Sequence, residues 1–250
     1  VSAFSSTAIV AQRRTIMATS SLASNAGAMD DIMKDLPSPL ILGSGSFTRK
    51  LILKEMGVDF VVVKRPIDEQ GLGNRDTDTP HDLVLTLAKA KCAHLVQEIE
   101  AGRCDEELLE KAVGRSMNNG QFLVLTGDQV VTHVGHILEK PESIEEAKSF
   151  CARYATAPPS TVGSCVITHL PSGIQVSGVD SSTIYFRPSI GDIAEDGKDL
   201  VDRLLETGNA PILDCAGGLM IEHPLVQEHV ERIDGTEDSV MGLSKALVER

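Results

Sequence analysis

Apolar and polar positions change rhythm along this chain, and each rhythm predicts an element. Leu40-Ile41-Leu42 is a short apolar run and predicts a buried strand. Gly43-Ser44-Gly45-Ser46 follows as a tight turn of small residues. A helix is expected over 47–56, capped by Ser46 and closed by Gly57. Phe60-Val61-Val62-Val63 is β-branched and predicts a second strand, followed by a polar loop to Thr79. Residues 81–100, opened by Pro80, place Val84, Leu87, Ala88, Leu95 and Ile99 on one face and predict an amphipathic helix. At about 100° per residue, Lys91 falls in the middle of that apolar stripe and Lys89 outside it.

Residues 101–119 are charged and predict an exposed helix and loop. The run 121–131 reads as a central strand broken by Gly127-Asp128, and Glu139-Lys140-Pro141 closes a short hairpin-like segment. Ser143, with Glu145 and Glu146 in the first turn, opens a helix that runs to Tyr154. Three β-rich segments, 161–169, 173–179 and 182–187, predict an antiparallel extension with Pro171-Ser172-Gly173 as a turn, and 193–207 predicts a helix. There is no internal repeat. The order of elements predicts an α/β fold with a mixed central sheet and two lobes around a cleft.

Composition narrows the function classes. The 250 residues are 42% hydrophobic, enough for a substantial core, and only 3% aromatic with no Trp, which argues against RNA binding by stacking. A net charge of −13 repels nucleic acid and anionic membranes, so an anionic ligand needs a local basic pocket. The 5 cysteines show neither a C-x-x-C pair nor metal-ligand spacing and predict free thiols in a reducing compartment. No run is long enough to span a membrane. Residues 1–37 are set apart: rich in Ser, Ala and Thr, with Arg13 and Arg14 and no acidic residue before Asp30. They read either as a plastid or mitochondrial transit segment or, with Met17 as initiator, as a disordered polar tail of a cytoplasmic protein. Residues 38–250 form the folded domain.

The candidate chemistry begins at the 43–46 turn. Free backbone N–H groups and two hydroxyls, with Arg49 and Lys50 one turn on, make an anion site, most naturally for phosphate, unless the turn is an ordinary β–α connection. A dinucleotide fingerprint would need a third glycine where Thr48 stands. Asp128 is a turn residue or an active-site acid, and Val130-Val131 continuing the apolar run disfavours the simple turn. Lys91 either snorkels to the rim or aims at phosphate in a cleft. On the cleft reading, Lys91→Met keeps the fold, since it puts an apolar chain on an apolar stripe.

In this order the motifs Leu-Ile-Leu-Gly-Ser-Gly-Ser-x-x-Arg-Lys (40–50), Asp-Glu (68–69), Leu-Ala-x-x-Lys (87–91), Gly-Asp-Gln-Val-Val (127–131), Lys-Pro (140–141), Ala-Gly (216–217) and Gly-Leu (242–243) form a specific set. The chain resembles the Maf family of nucleoside triphosphate pyrophosphatases, relatives of the inosine triphosphate pyrophosphatases, over about 39–247. The resemblance implies hydrolysis between the α and β phosphates. Asp128 matches the catalytic acid, Ser44, Ser46, Arg49 and Lys50 the phosphate-contacting turn, and Glu69, Lys91 and Lys140 the charged cleft. Asp128 and Glu69 would carry Mg²⁺ or Mn²⁺. Thr48, Gln129 and Glu222 match positions linked to substrate choice. Gln129 and Glu222 look like the branch acting on 7-methyl-GTP rather than on dTTP or UTP, unless Glu222 only shapes its loop. Phe47 and Ser244 stand where the family has proline, and Lys50 where a second arginine is common. The expected partner is a small-molecule nucleotide, with a homodimer left open. Two other classes stand beside this one: an NADP-dependent oxidoreductase using the 43–46 turn with Lys64-Arg65, and a nucleotide-binding regulator without turnover.

Overall fold

The computed structural model describes residues 39–75, 77–111, 121–208 and 210–250. The transit or tail expectation for 1–37 lies outside the described residues, as does the 112–119 part of the charged stretch.

Among the described residues, eight strands form one mixed sheet. Strand β1 (Leu40–Leu42) pairs in parallel with β2 (Phe60–Val62) on one side and β3 (Phe122–Thr126) on the other. The remaining pairings are antiparallel. Strand β6 (Ser160–Leu170) runs beside β3 with one half and beside β4 (Gln129–His133) with the other. Strand β4 also pairs with β5 (His136–Leu138), while β7 (Ile174–Phe186) takes the far edge of β6 and in turn carries β8 (Val230–Asp234).

Both faces of β1 are covered, which is why it reads as a continuous apolar run. Ile41 packs under helix α2 (Pro80–Glu100) with Ala88, Cys92 and Leu95. Leu40 and Leu42 face the opposite way, onto Ile52 and Leu53 of helix α1 (Phe47–Glu55). Two sheet hydroxyls fix the register of α2: Ser164 Oγ donates to the Val84 carbonyl at 2.8 Å and Thr126 Oγ1 to the Ala88 carbonyl at 2.9 Å. The next position down that face is Lys91. A separate core block joins β4 and β5 to helices α4 (Ile144–Tyr154), α5 (Leu200–Glu206) and α6 (Pro224–Gln227) through Val131, Phe150, Tyr154, Leu204 and Val226.

Four expectations change. The charged stretch contains helix α3 (Asp105–Lys111), but it is not simply exposed: Cys104 and Leu108, four residues apart, are buried in the core cluster that holds Val61, Val63 and Leu95. The segments 173–179 and 182–187 are one 13-residue strand, because residues 179–182 keep their pairing with β6. The helix expected over 193–207 starts only at Leu200, where Asp199 and Asp202 form a capping box; Gly197, at φ 79, turns the chain just before it. Strand β8 was not expected; its residues are mostly exposed and polar, so it lacks an apolar period. It is followed by helices α7 (Glu237–Met241) and α8 (Lys245–Glu249). No helix among the described residues is long and apolar enough to cross a membrane.

Candidate active site

A cavity of about 920 Å³ opens where β1, β2 and β3 end. The residues just past each strand line it: the 43–49 turn, Lys64 and Gly127-Asp128. Such a crevice at the carboxyl ends of strands is the expected place for a ligand in an α/β sheet. Tyr154, Phe186 and Leu219 line it from the second core block, and Lys140 and Glu222 complete that wall.

The turn is held from both sides. Gly43 N–H donates to the Leu125 carbonyl at 2.8 Å, and Ser44 Oγ accepts from Ser46 N–H at 3.2 Å. Ser46 caps α1 by accepting from Arg49 N–H at 3.3 Å and lies 2.8 Å from Thr48 Oγ1. Among the described residues, the amides of Ser44, Gly45, Phe47 and Thr48 take no hydrogen bond, so the turn keeps donors for an anion. A methyl group placed on Gly45 would lie 2.6 Å from Lys64 Nζ, so this ammonium rests directly on the turn.

Arg49 is a strut as well as a charge. Its Nη1 donates to Ser44 Oγ at 3.2 Å and to the Gly127 carbonyl at 2.9 Å, and its Nε to the Gly242 carbonyl at 2.9 Å. It thereby ties the turn to the sheet break and to the C-terminal segment. Burial pulls its pKa down, and the Asp128 carboxylate opposes this. Lys50, one residue on, is not among the residues lining the cavity.

Asp128 owes its position to a strand break without a slip. Thr126 stands opposite Val166 and Gln129 opposite Gly163, so neither strand gains a residue between β3 and β4. The Asp128 N–H nonetheless bonds the Ser164 hydroxyl at 3.1 Å rather than a backbone carbonyl. Gly127 allows this approach, since a Cβ there would stand 2.5 Å from the Ser164 carbonyl oxygen. Gly127→Ala should therefore destabilise the fold by about 1–3 kcal/mol through forced backbone movement. Urea unfolding would read this, and an unchanged midpoint would refute the role given to the glycine.

The Asp128 carboxylate is 12% exposed and lies 2.5 Å from Lys91 Nζ, which also meets Glu69 at 2.9 Å. Burial raises the Asp128 pKa, and Lys91 and then Arg49 pull it back. Lys91 thus brings together a carboxylate from the sheet and one from the 63–79 loop. No larger His, Cys, Asp or Glu cluster fit for a metal occurs among the described residues. Two carboxylates beside a phosphate site do fit a cation that takes one or two carboxylates plus waters and phosphate oxygens.

The three specificity candidates stand apart. Thr48 bonds within the turn. Gln129 Nε2 donates to the Val240 carbonyl at 2.7 Å and the Ser239 carbonyl at 3.4 Å, which binds β4 to α7. Glu222 Oε1 is buried and, among the described residues, has no hydrogen-bond partner. Burial raises the Glu222 pKa, its own backbone N–H opposes this, Glu237 adds to the rise and His223 opposes it. Sequence reasoning gave Lys64 a role only in the dinucleotide alternative and missed Arg75 altogether. For Lys64 a signal existed: it is the first charge after a strand parallel to β1, so it emerges at the same sheet edge as the turn.

Residues 39–250 match the family model described as Maf-like protein. The chain is 32% identical over 211 residues to a protein of Dictyostelium discoideum named 7-methyl-GTP pyrophosphatase, covering 84% of this chain and 94% of that one. It is 26% identical over 208 residues to one of Salinibacter ruber named dTTP/UTP pyrophosphatase, covering 83% and 86%. It is also 26% identical over 220 residues to one of Nocardia farcinica named nucleoside triphosphate pyrophosphatase, covering 86% and 92%. A family match over residues 39–250, with similarity to these proteins over most of each chain, places the chain in the Maf-like family.

Proposed function

We propose that the chain is a nucleoside triphosphate pyrophosphatase that cleaves its substrate to the monophosphate and pyrophosphate. The observation that carries this reading is the Asp128–Lys91–Glu69 cluster, set beside a turn with free amides at the strand ends. The names of the relatives support it. In the reaction, a water oxygen bonds to the α-phosphorus and the bond from that phosphorus to the α–β bridging oxygen breaks. Pyrophosphate leaves with the bridging oxygen, and the water proton passes to Asp128. Lys91 holds the Asp128 carboxylate in place. The turn amides, Lys64 and Lys140 bind the polyphosphate against the acidic surface. Asp128 and Glu69 would hold a divalent cation, Mg²⁺ or Mn²⁺, which when bound supplies charge neutralisation at the phosphates. Pyrophosphate release, measured with Mg²⁺ across a panel of nucleoside triphosphates, tests the reading; no release from any of them refutes it.

The finer reading is a modified purine, 7-methyl-GTP, in preference to UTP or dTTP. Glu222 supports it: a buried carboxylate oxygen without a donor suits guanine, which offers two N–H groups on its Watson–Crick edge where uracil and thymine offer one. N7 methylation makes the ring cationic, which a carboxylate also favours. An unmatched buried polar group is worth about 1–3 kcal/mol, so Glu222→Gln should shift the 7-methyl-GTP to UTP ratio of kcat/KM by roughly 5- to 150-fold. A wild type that prefers UTP, or a ratio unmoved by the substitution, overturns this preference.

A further inference from the structure

Glu69 has an exposed side chain in a segment, 63–79, whose described part forms neither helix nor strand. Something must hold its carboxylate within reach of Lys91. Leu72 anchors the segment inward by packing against the buried cluster that contains Leu83, Val84 and Leu87. The second anchor is Arg75. Its guanidinium grips Glu139 side-on, Nη2 to Oε1 at 3.2 Å and Nε to Oε2 at 3.4 Å. The same group donates to the carbonyl of Glu69 itself at 3.3 Å through Nη2, and to the carbonyl of Leu72 through Nη1. The Glu69 carbonyl also accepts Leu72 N–H at 3.2 Å, so a turn of the loop closes on the guanidinium. Glu139 precedes Lys140, and both line the cavity. Only a planar fork of several N–H donors can serve a carboxylate and two carbonyls at once; a lysine ammonium is a single point charge.

We propose that Arg75 is the positioning residue for Glu69, tying the loop that carries it to the Glu139–Lys140 corner of the cavity; this rests on the pyrophosphatase reading. Arg75 touches no reacting atom. It fixes where the Glu69 carboxylate meets Lys91. A displacement of order 1 Å in such a group costs up to ~10²-fold in rate.

The test uses the full chain and three variants, Arg75→Ala, Arg75→Lys and Glu139→Ala. Arg75→Ala is expected to lower kcat by about 10-fold or more and to raise the Mg²⁺ concentration giving half-maximal rate. It should also speed amide hydrogen exchange in peptides covering 69–75, with little change in Tm, because exposed ion pairs add little to global stability. Arg75→Lys should recover less than half of the loss. Glu139→Ala should move the same readouts less, since the contact with the Glu69 carbonyl survives. An Arg75→Ala enzyme with wild-type kcat and wild-type exchange overturns the proposal. So does a loss of activity that comes with a large fall in Tm and faster exchange throughout the chain. If the wild type releases no pyrophosphate from any nucleotide, the functional reading fails, and the exchange rates of the loop still decide whether Arg75 holds it.

Discussion

Asp128→Asn is expected to lower turnover by at least ~10²-fold, the lower range for removing a general base. The substitution keeps shape and removes the buried carboxylate charge that meets Lys91, while the main-chain bond of residue 128 to the Ser164 hydroxyl stays. It should not unfold the protein. Burial holds the Asp128 pKa above the ordinary aspartate range despite Lys91 and Arg49. The folded state therefore binds more protons than the unfolded state between the two pKa values, and this carboxylate makes stability fall as pH rises through that window. Asparagine removes that liability, so Tm at neutral pH should be unchanged or higher. Steady-state kinetics and a melting curve check both parts. A folded Asp128→Asn enzyme with near wild-type turnover would remove Asp128 from the chemistry.

How far the sequence discloses such a site depends on the range of the contacts that build it. Helix α2 was legible from its apolar stripe opened by Pro80, and α4 from the Ser143 cap with Glu145 and Glu146 in its first turn. Strands β1 and β2 were legible as two apolar runs around a capped helix. The short start of α5 turns on Gly197 and a two-aspartate box, a local signal that the apolar pattern over 193–207 masked. At the site, the 43–46 turn and the odd lysine on the α2 stripe could be marked from the residues alone. Glu69 could be marked only through the family resemblance, because nothing in an irregular polar loop tells one carboxylate from its neighbours. The strut role of Arg49 was beyond reach. Two of its three acceptors lie 78 and 193 positions along the chain, on the Gly127 and Gly242 carbonyls, and backbone carbonyls leave no mark in a sequence. Arg75 was hidden for the same reason, with two of its three acceptors main-chain oxygens.

Lys91→Met should abolish most catalysis, and the structure alters what it should do to stability. From the stripe alone, methionine at 91 would be harmless, an apolar chain among Val84, Leu87, Ala88 and Leu95. But Lys91 is the close partner of a buried carboxylate, and removing one member of such a pair leaves an uncompensated charge, at a cost of about 3–5 kcal/mol in well-buried cases. Asp128 can escape part of that by taking up a proton. Losing Lys91 raises its folded pKa further, so the window in which the folded state holds the extra proton widens upward. The variant should match wild-type stability below the raised pKa that Asp128 has in the wild-type fold, then lose stability relative to wild type as pH rises past it toward neutrality. Adding Asp128→Asn to Lys91→Met should restore Tm at neutral pH without restoring turnover, because asparagine carries no charge to strand. Melting curves across pH on both variants, with turnover measured beside them, decide the matter. If Lys91→Met keeps its activity, the lysine is a rim side chain after all. If its stability loss is the same at every pH, or the second substitution fails to relieve it, the buried charge at Asp128 is not the cause.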